Sequence, residues 1–84
     1  MNINILLQAI SNKTDIAIEY SCKDKFQINH QVIHMTDSLL KFGDTSLRIE
    51  DPLFLLIELR KQGIFKIDDQ AINEILKAYH KLQR

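Results

Sequence analysis

Hydrophobic positions recur at two different periods along this chain, and the changes of period mark out its elements. Ile3, Leu6, Leu7 and Ile10 follow the i, i+3, i+4, i+7 spacing of one helical face. Residues 3–11 are therefore predicted to form a short helix, with Asn2 placed to cap it. Ile5 falls off that stripe, which implies cover on a second side. Ser11-Asn12-Lys13-Thr14 interrupts the pattern as a turn.

From Asp15 to Tyr20 the period drops to two. Ile16, Ile18 and Tyr20 share one face, and Asp15, Ala17 and Glu19 the other, the alternation of a half-buried strand. Ser21 to Lys25 reads as a polar loop, and Phe26 opens a second strand. Closing that loop as a hairpin sets Tyr20 opposite Phe26, Ile18 opposite Ile28 and Ile16 opposite His30, with the apolar residues on one side. The second strand is expected to run on through Val32, Ile33 and Met35, but its parity slips on the way. A bulge near His30-Gln31, the preferred arrangement, would turn Ile33 and Met35 inward. A straight strand would instead put His30 and His34 on the core side and leave Ile33 and Met35 to be covered from the opposite face.

Thr36-Asp37-Ser38 makes a tight turn, and Leu39–Phe42 and Thr45–Ile49 form another hairpin around Gly43-Asp44, a pair suited to a primed turn with glycine first. In that register Leu40 faces Leu47 and Phe42 faces Thr45. The period then returns to 3.6 in the best-delimited element of the chain, residues 52–62. Asp51 can cap it, Pro52 fits the first helical position, Arg60 and Lys61 suit the negative end of the dipole, and Gly63 can take the left-handed stop. Ile64-Phe65-Lys66-Ile67 is a short apolar connector. Asp68 can cap a last helix, with Ile67 and Ile72 in the places of a hydrophobic staple. Ile72, Ile75, Leu76, Tyr79 and Leu82 form its apolar stripe, while Asn73, Glu74, Lys77, His80, Lys81 and Arg84 point to water.

The expected fold is thus α+β in the order α-β-β-β-β-α-α, a single domain over residues 1–84. A four-stranded antiparallel meander, curled in the manner of a small barrel, would carry the helices on one face. Ala9-Ile10 followed by Ile16-Ala17-Ile18-Glu19-Tyr20 resembles the opening of WYL domains, small Sm-like barrels of bacterial regulators that sense ligands or nucleic acid. The resemblance covers about a dozen residues. The Trp-Tyr-Leu signature is missing, and the chain has no tryptophan.

Composition narrows the function classes. Eleven Lys and Arg balance eleven Asp and Glu, whereas a protein that holds nucleic acid through its phosphates usually carries a basic excess. The one cysteine, Cys22, excludes an intramolecular disulfide and suits a reducing cytoplasm. Met1 to Leu7 lacks the basic flank of a signal peptide, and no apolar run approaches the ~20 residues of a membrane span. A cytoplasmic protein is expected. The Ile, Lys and Asn content suggests an AT-rich bacterial or phage genome.

Motifs for chemistry are lacking. His30 and His34 would converge on a metal only on a helix; on a strand, residues four apart are roughly 13 Å from each other. Cys22 lies beside Lys23 and Lys25, which would favour a thiolate, but no base or oxyanion site accompanies it. Glu50-Asp51 and Asp68-Asp69 stand just before helices, where capping accounts for them. With two glycines, there is no glycine-rich phosphate loop. No catalytic residue, metal ligand or cofactor is therefore expected.

What remains is surface. On a wheel at roughly 100° per residue, Leu53, Leu55, Leu56, Ile57 and Leu59 fill one broad arc, while Phe54 points away between Glu58 and Lys61. The connector Ile64-Phe65 could cover Phe54 from within the chain, or another subunit or partner could do so. The sequence accordingly points to a non-enzymatic interaction domain. Leu53, Phe54, Ile57, Ile64 and Phe65 would form its surface for a second copy (a homodimer) or another protein. The alternative is a nucleic-acid-associated regulatory domain using Lys77, Lys81 and Arg84. A third reading, a small ligand- or metal-binding module, would centre on His30 and His34.

Overall fold

The computed structural model of the protein describes residues 1–83. Its elements are α1 (Ile3–Lys13), β1 (Ile18–Cys22), β2 (Lys25–Ile28), β3 (Gln31–Met35), β4 (Leu39–Phe42), β5 (Thr45–Arg48), α2 (Pro52–Lys61) and α3 (Asp69–Leu82). The class is α+β, with five strands in place of the four expected. They form one antiparallel sheet in the order β1-β2-β3-β4-β5, open because β1 and β5 do not pair. The sheet does not close into the small barrel that was expected.

The extra strand arises at Asn29-His30. The bulge expected nearby is a full chain reversal, in which Asn29 (φ 50°) and His30 (φ 68°) both take left-handed backbone. Positive φ at both central residues is the hallmark of the type I′ hairpin turn, whose hand matches the twist of the strands it joins. Asn tolerates that conformation because its side chain can bond locally. Here it bonds further afield. The Asn29 Oδ1 accepts from the Ala17 amide at 3.3 Å, and its Nδ2 donates to the Ile64 carbonyl at 3.2 Å. The reversal delivers Ile33 and Met35 inward, as the bulge would have done, and turns His34 outward.

The two expected hairpin registers are present except at Ile16, which precedes β1 and does not pair with His30 because His30 lies in the reversal. Ile18 pairs with Ile28 and Tyr20 with Phe26, although β1 continues to Cys22 through an irregularity beyond Tyr20. Leu40 pairs with Leu47 and Phe42 with Thr45. Gly43 alone of its turn pair has positive φ, as a primed turn with glycine first requires.

Each helix starts on a side-chain cap. Asn2 Oδ1 accepts from the Asn4 amide at 3.0 Å, Asp51 Oδ2 from Phe54 at 3.0 Å, and Asp68 Oδ1 from Ala71 at 2.8 Å. α2 ends in a Schellman motif: the Ile64 amide donates to the Leu59 carbonyl and the Gly63 amide to Arg60, with Gly63 at φ 78°. Ile64 and Leu59, the apolar pair that usually accompanies that motif, are both buried. Arg60 ties α2 to the connector and the start of α3, donating to the Ile67 carbonyl at 3.3 Å and to Asp69 at 2.9 Å.

One core joins the helical layer to the inner face of the sheet. Leu6, Leu7 and Ile10 of α1, Leu55, Leu56 and Leu59 of α2, and Ile72, Ile75 and Tyr79 of α3 meet Phe26, Ile28, Ile33, Leu40 and Leu47. Burying a side chain of this size contributes about 1.5–3 kcal/mol. Core strand positions alternate with outward ones, and among the described residues the three helices all contribute to the core on the inner face. Among the described residues no helix is long and apolar enough to cross a membrane.

Candidate functional site

Three surfaces collect the residues singled out from the sequence. The first is the N-terminal half of α2. Asp51 and Pro52 set the first turn, which brings Leu53 and Phe54 to the outside, 41% and 44% exposed, with Ile57 half-buried one turn on. The broad arc is therefore narrower than the wheel implied: Leu55, Leu56 and Leu59 fill the core and Leu53 does not. Beside Leu53 a groove of about 500 Å³ runs between α2, α3 and the chain start, lined by Met1, Pro52, Leu53, Leu76, His80 and Gln83 among others. Met1 is itself exposed. Tyr79 holds this corner together, its hydroxyl accepting from Gln83 at 2.8 Å and from the Asn2 amide at 3.4 Å.

Ile64 and Phe65 do not belong to this surface. They are 3% and 2% exposed, inside the core. The Schellman turn at Gly63 aims the connector inward behind α2, so it neither reaches a partner nor covers Phe54. That expectation is corrected.

The second surface is basic. Lys77 and Lys81 stand on the outer side of α3, and the packing of α1 against α3 brings Lys13 to them. Together with Asn12, Glu74, Ala78, His80 and Leu82 they line a groove of about 580 Å³. Lys77 is paired with Glu74 at 3.9 Å. Arg84 lies outside the described residues. Lys13 was missed because the sequence places it in the turn at residues 11–14, whereas α1 runs on through Lys13, where the dipole favours a cation.

The third is the outer face of the sheet with the two histidines. His30 sits in the reversal and His34 near the end of β3, both exposed. Among the described residues no group of three or more His, Cys, Asp or Glu side chains is disposed to hold a metal ion. Cys22 is exposed, and its thiol donates to Asp24 Oδ1 at 3.4 Å.

Tyr20 departs from expectation as well. It shares the inner face with Phe26, which is buried, yet is itself 59% exposed. It lies on the edge strand, with a neighbouring strand on one side only. Tyr20 there borders a groove of about 600 Å³ between β1 and Asn4, Leu7, Gln8 and Ser11 of α1. Partial burial pushes its hydroxyl above the ordinary tyrosine value of 10.0.

Comparison of the chain with protein-family models, with curated proteins and with solved structures found no match.

Proposed function

We propose that this chain is a non-enzymatic interaction domain that docks a second copy of itself, or another protein, through Leu53, Phe54 and Ile57 of α2. The observation that carries the reading is that two large apolar side chains, Leu53 and Phe54, are exposed on the first turn of α2, each within one turn of the half-buried Ile57, with Leu53 bordering the Met1 groove. Contiguous apolar surface of this kind, rimmed by polar residues, marks interfaces more often than isolated exposed side chains do.

At 44% exposure, a phenylalanine with on the order of 200 Å² of side-chain surface leaves roughly 90 Å² in water. Covering that area at about 25 cal/mol per Å² is worth ~2 kcal/mol for each ring, or about thirtyfold in affinity. Phe54→Asp removes this term and adds a charge that the interface would have to desolvate. Sedimentation of the wild-type chain should give a mass above the 9.8 kDa of one copy, falling toward that value in the variant. A monomeric wild type whose mass and melting temperature are unchanged by Phe54→Asp would remove the self-association reading.

The groove at Lys13, Lys77 and Lys81 favours a second reading, a nucleic-acid-associated regulatory domain. Its support is that two helices, rather than one, contribute cations to a single concave surface. Binding of a random oligonucleotide that falls steeply with salt, and falls again in Lys13→Glu, would favour it over the first.

A further inference from the structure

The sheet carries a feature that neither reading uses. Its register aligns Lys25 with His34 and His34 with Lys41, in three successive strands. Cys22 lies opposite Lys25 and Ser46 opposite Lys41, so one row crosses all five strands on the face away from the helices. Inner-face neighbours Phe26, Ile33, Leu40 and Phe42 are buried, whereas His34, Lys41 and Ser46 are exposed and Lys25 is half-exposed. At about 4.8 Å per strand, the two lysines stand about 10 Å apart with the imidazole between them.

Charged positions on open sheets are commonly matched across strands, since like charges set opposite one another destabilise the pairing. This row contains no carboxylate. Glu19 and Gln27 belong to the next row, and Asp24 to the β1–β2 turn. Among the described residues the ion pairs are Arg48–Glu50, Arg60–Asp69, Lys61–Glu58 and Lys77–Glu74, none of which uses Lys25 or Lys41. Arg48 extends the basic strip on the far side of Leu39 and has Glu50 at 3.2 Å. The row is flanked on the same face by apolar side chains, Val32 (43% exposed) on one side and the half-buried Leu39 on the other.

We propose that this outer face docks an acidic polypeptide segment of a partner, its carboxylates set against Lys25 and Lys41 and its apolar residues against Val32 and Leu39. Charge complementarity requires an anionic occupant. Two observations favour a polypeptide over nucleic acid. The outer positions of the five strands carry no phenylalanine, tyrosine or tryptophan, the single imidazole of His34 being the one ring there, so no platform of successive stacking rings exists, and Val32 and Leu39 offer contacts that a phosphate backbone cannot use. The surface is separate from Phe54, so it stands or falls independently of the α2 interface.

The test is fluorescence anisotropy with a labelled peptide of glutamates interspersed with leucines, its glutamine counterpart and a labelled DNA duplex. The glutamate peptide should bind, weaken as ionic strength rises, and lose at least about tenfold in affinity for Lys25→Glu/Lys41→Glu. Phe54→Asp should leave that affinity unchanged. If the double reversal fails to give the wild-type circular dichroism spectrum, Lys25→Gln and Lys41→Gln carry the same expectation with a smaller loss. No binding of the glutamate peptide, equal binding of the glutamine peptide, or affinity unaltered by the lysine substitutions would overturn the proposal. So would a duplex that binds more tightly and displaces the peptide.

Discussion

Replacing Asn29 by alanine should remove the clasp that joins three separate parts of the chain. Asn29 turns β2 into β3, bonds back to Ala17 ahead of β1, and bonds forward to the carbonyl of Ile64 behind α2. The bond to Ile64 is partly buried and is worth about 1 kcal/mol net, while the one to Ala17 is exposed and worth about 0.5. Holding alanine at φ 50° adds about 1 kcal/mol that asparagine largely avoids. Asn29→Ala should therefore cost about 2–3 kcal/mol, a large share of the ~5–15 kcal/mol that holds a small domain together. Asn29→Gly separates the contributions, because glycine takes the left-handed conformation freely but restores neither side-chain bond. It should cost about 1 kcal/mol less than alanine. Urea unfolding followed by circular dichroism measures both, with a slope near 1 kcal/mol per molar for so small a chain converting midpoints to energies. Equal losses in the two variants, each below about 1 kcal/mol, would refute the clasp and mean that water replaces both bonds without penalty.

Two further outcomes test neighbouring parts of the structure. His30 occupies the second central position of the same turn at φ 68°. His30→Gly should relieve about 1 kcal/mol of left-handed strain and give back about half of it as unfolded-chain entropy. The net gain of about 0.5 kcal/mol would appear in the same urea assay, and a loss would mean that the imidazole makes contacts that outweigh the strain. Tyr20 has a hydroxyl raised above 10.0 by burial, so the neutral phenol is the form that the fold favours. Its contribution is complete below pH 10 and is lost as pH rises through the raised value. Ultraviolet titration of the wild type against Tyr20→Phe should place its midpoint above 10; a midpoint at or below 10 would mean that the ring lies freely in water.

The elements that depend on near neighbours were legible in the residues themselves. Asn2, Asp51 and Asp68 cap the helices because a side-chain oxygen needs only amides two or three residues ahead, and Gly63 stops α2 for an equally local reason. The registers of the Tyr20–Phe26 and Leu40–Leu47 pairs could be read because alternation at both strands of a hairpin admits only one alignment. The Asn29-His30 reversal could not. Apolar residues continue on both sides of it and no glycine announces it, so a turn with two non-glycine residues in left-handed backbone resembled a bulge within one strand.

The surfaces were decided at the tertiary level. Tyr20 and Phe26 are equivalent in period and paired in register, yet only Phe26 is buried; its strand has neighbours on both sides while that of Tyr20 is the edge, a difference that local spacing cannot express. Ile64 and Phe65 share their apolar character with Leu53 and Phe54. The Schellman turn sends the first pair into the core, while the cap at Asp51 leaves the second pair on the outside. Lys25, His34 and Lys41 look like scattered polar residues of different strands until three hydrogen-bonded strands align them in one row. Sequence alone determined where the helices begin, where α2 ends and which apolar positions pair in the two hairpins it recognised, since those rest on contacts a few residues apart. Which apolar side chains remain uncovered, and which cations stand together, was settled only when the layers came into place, because both depend on contacts between segments far apart in the chain.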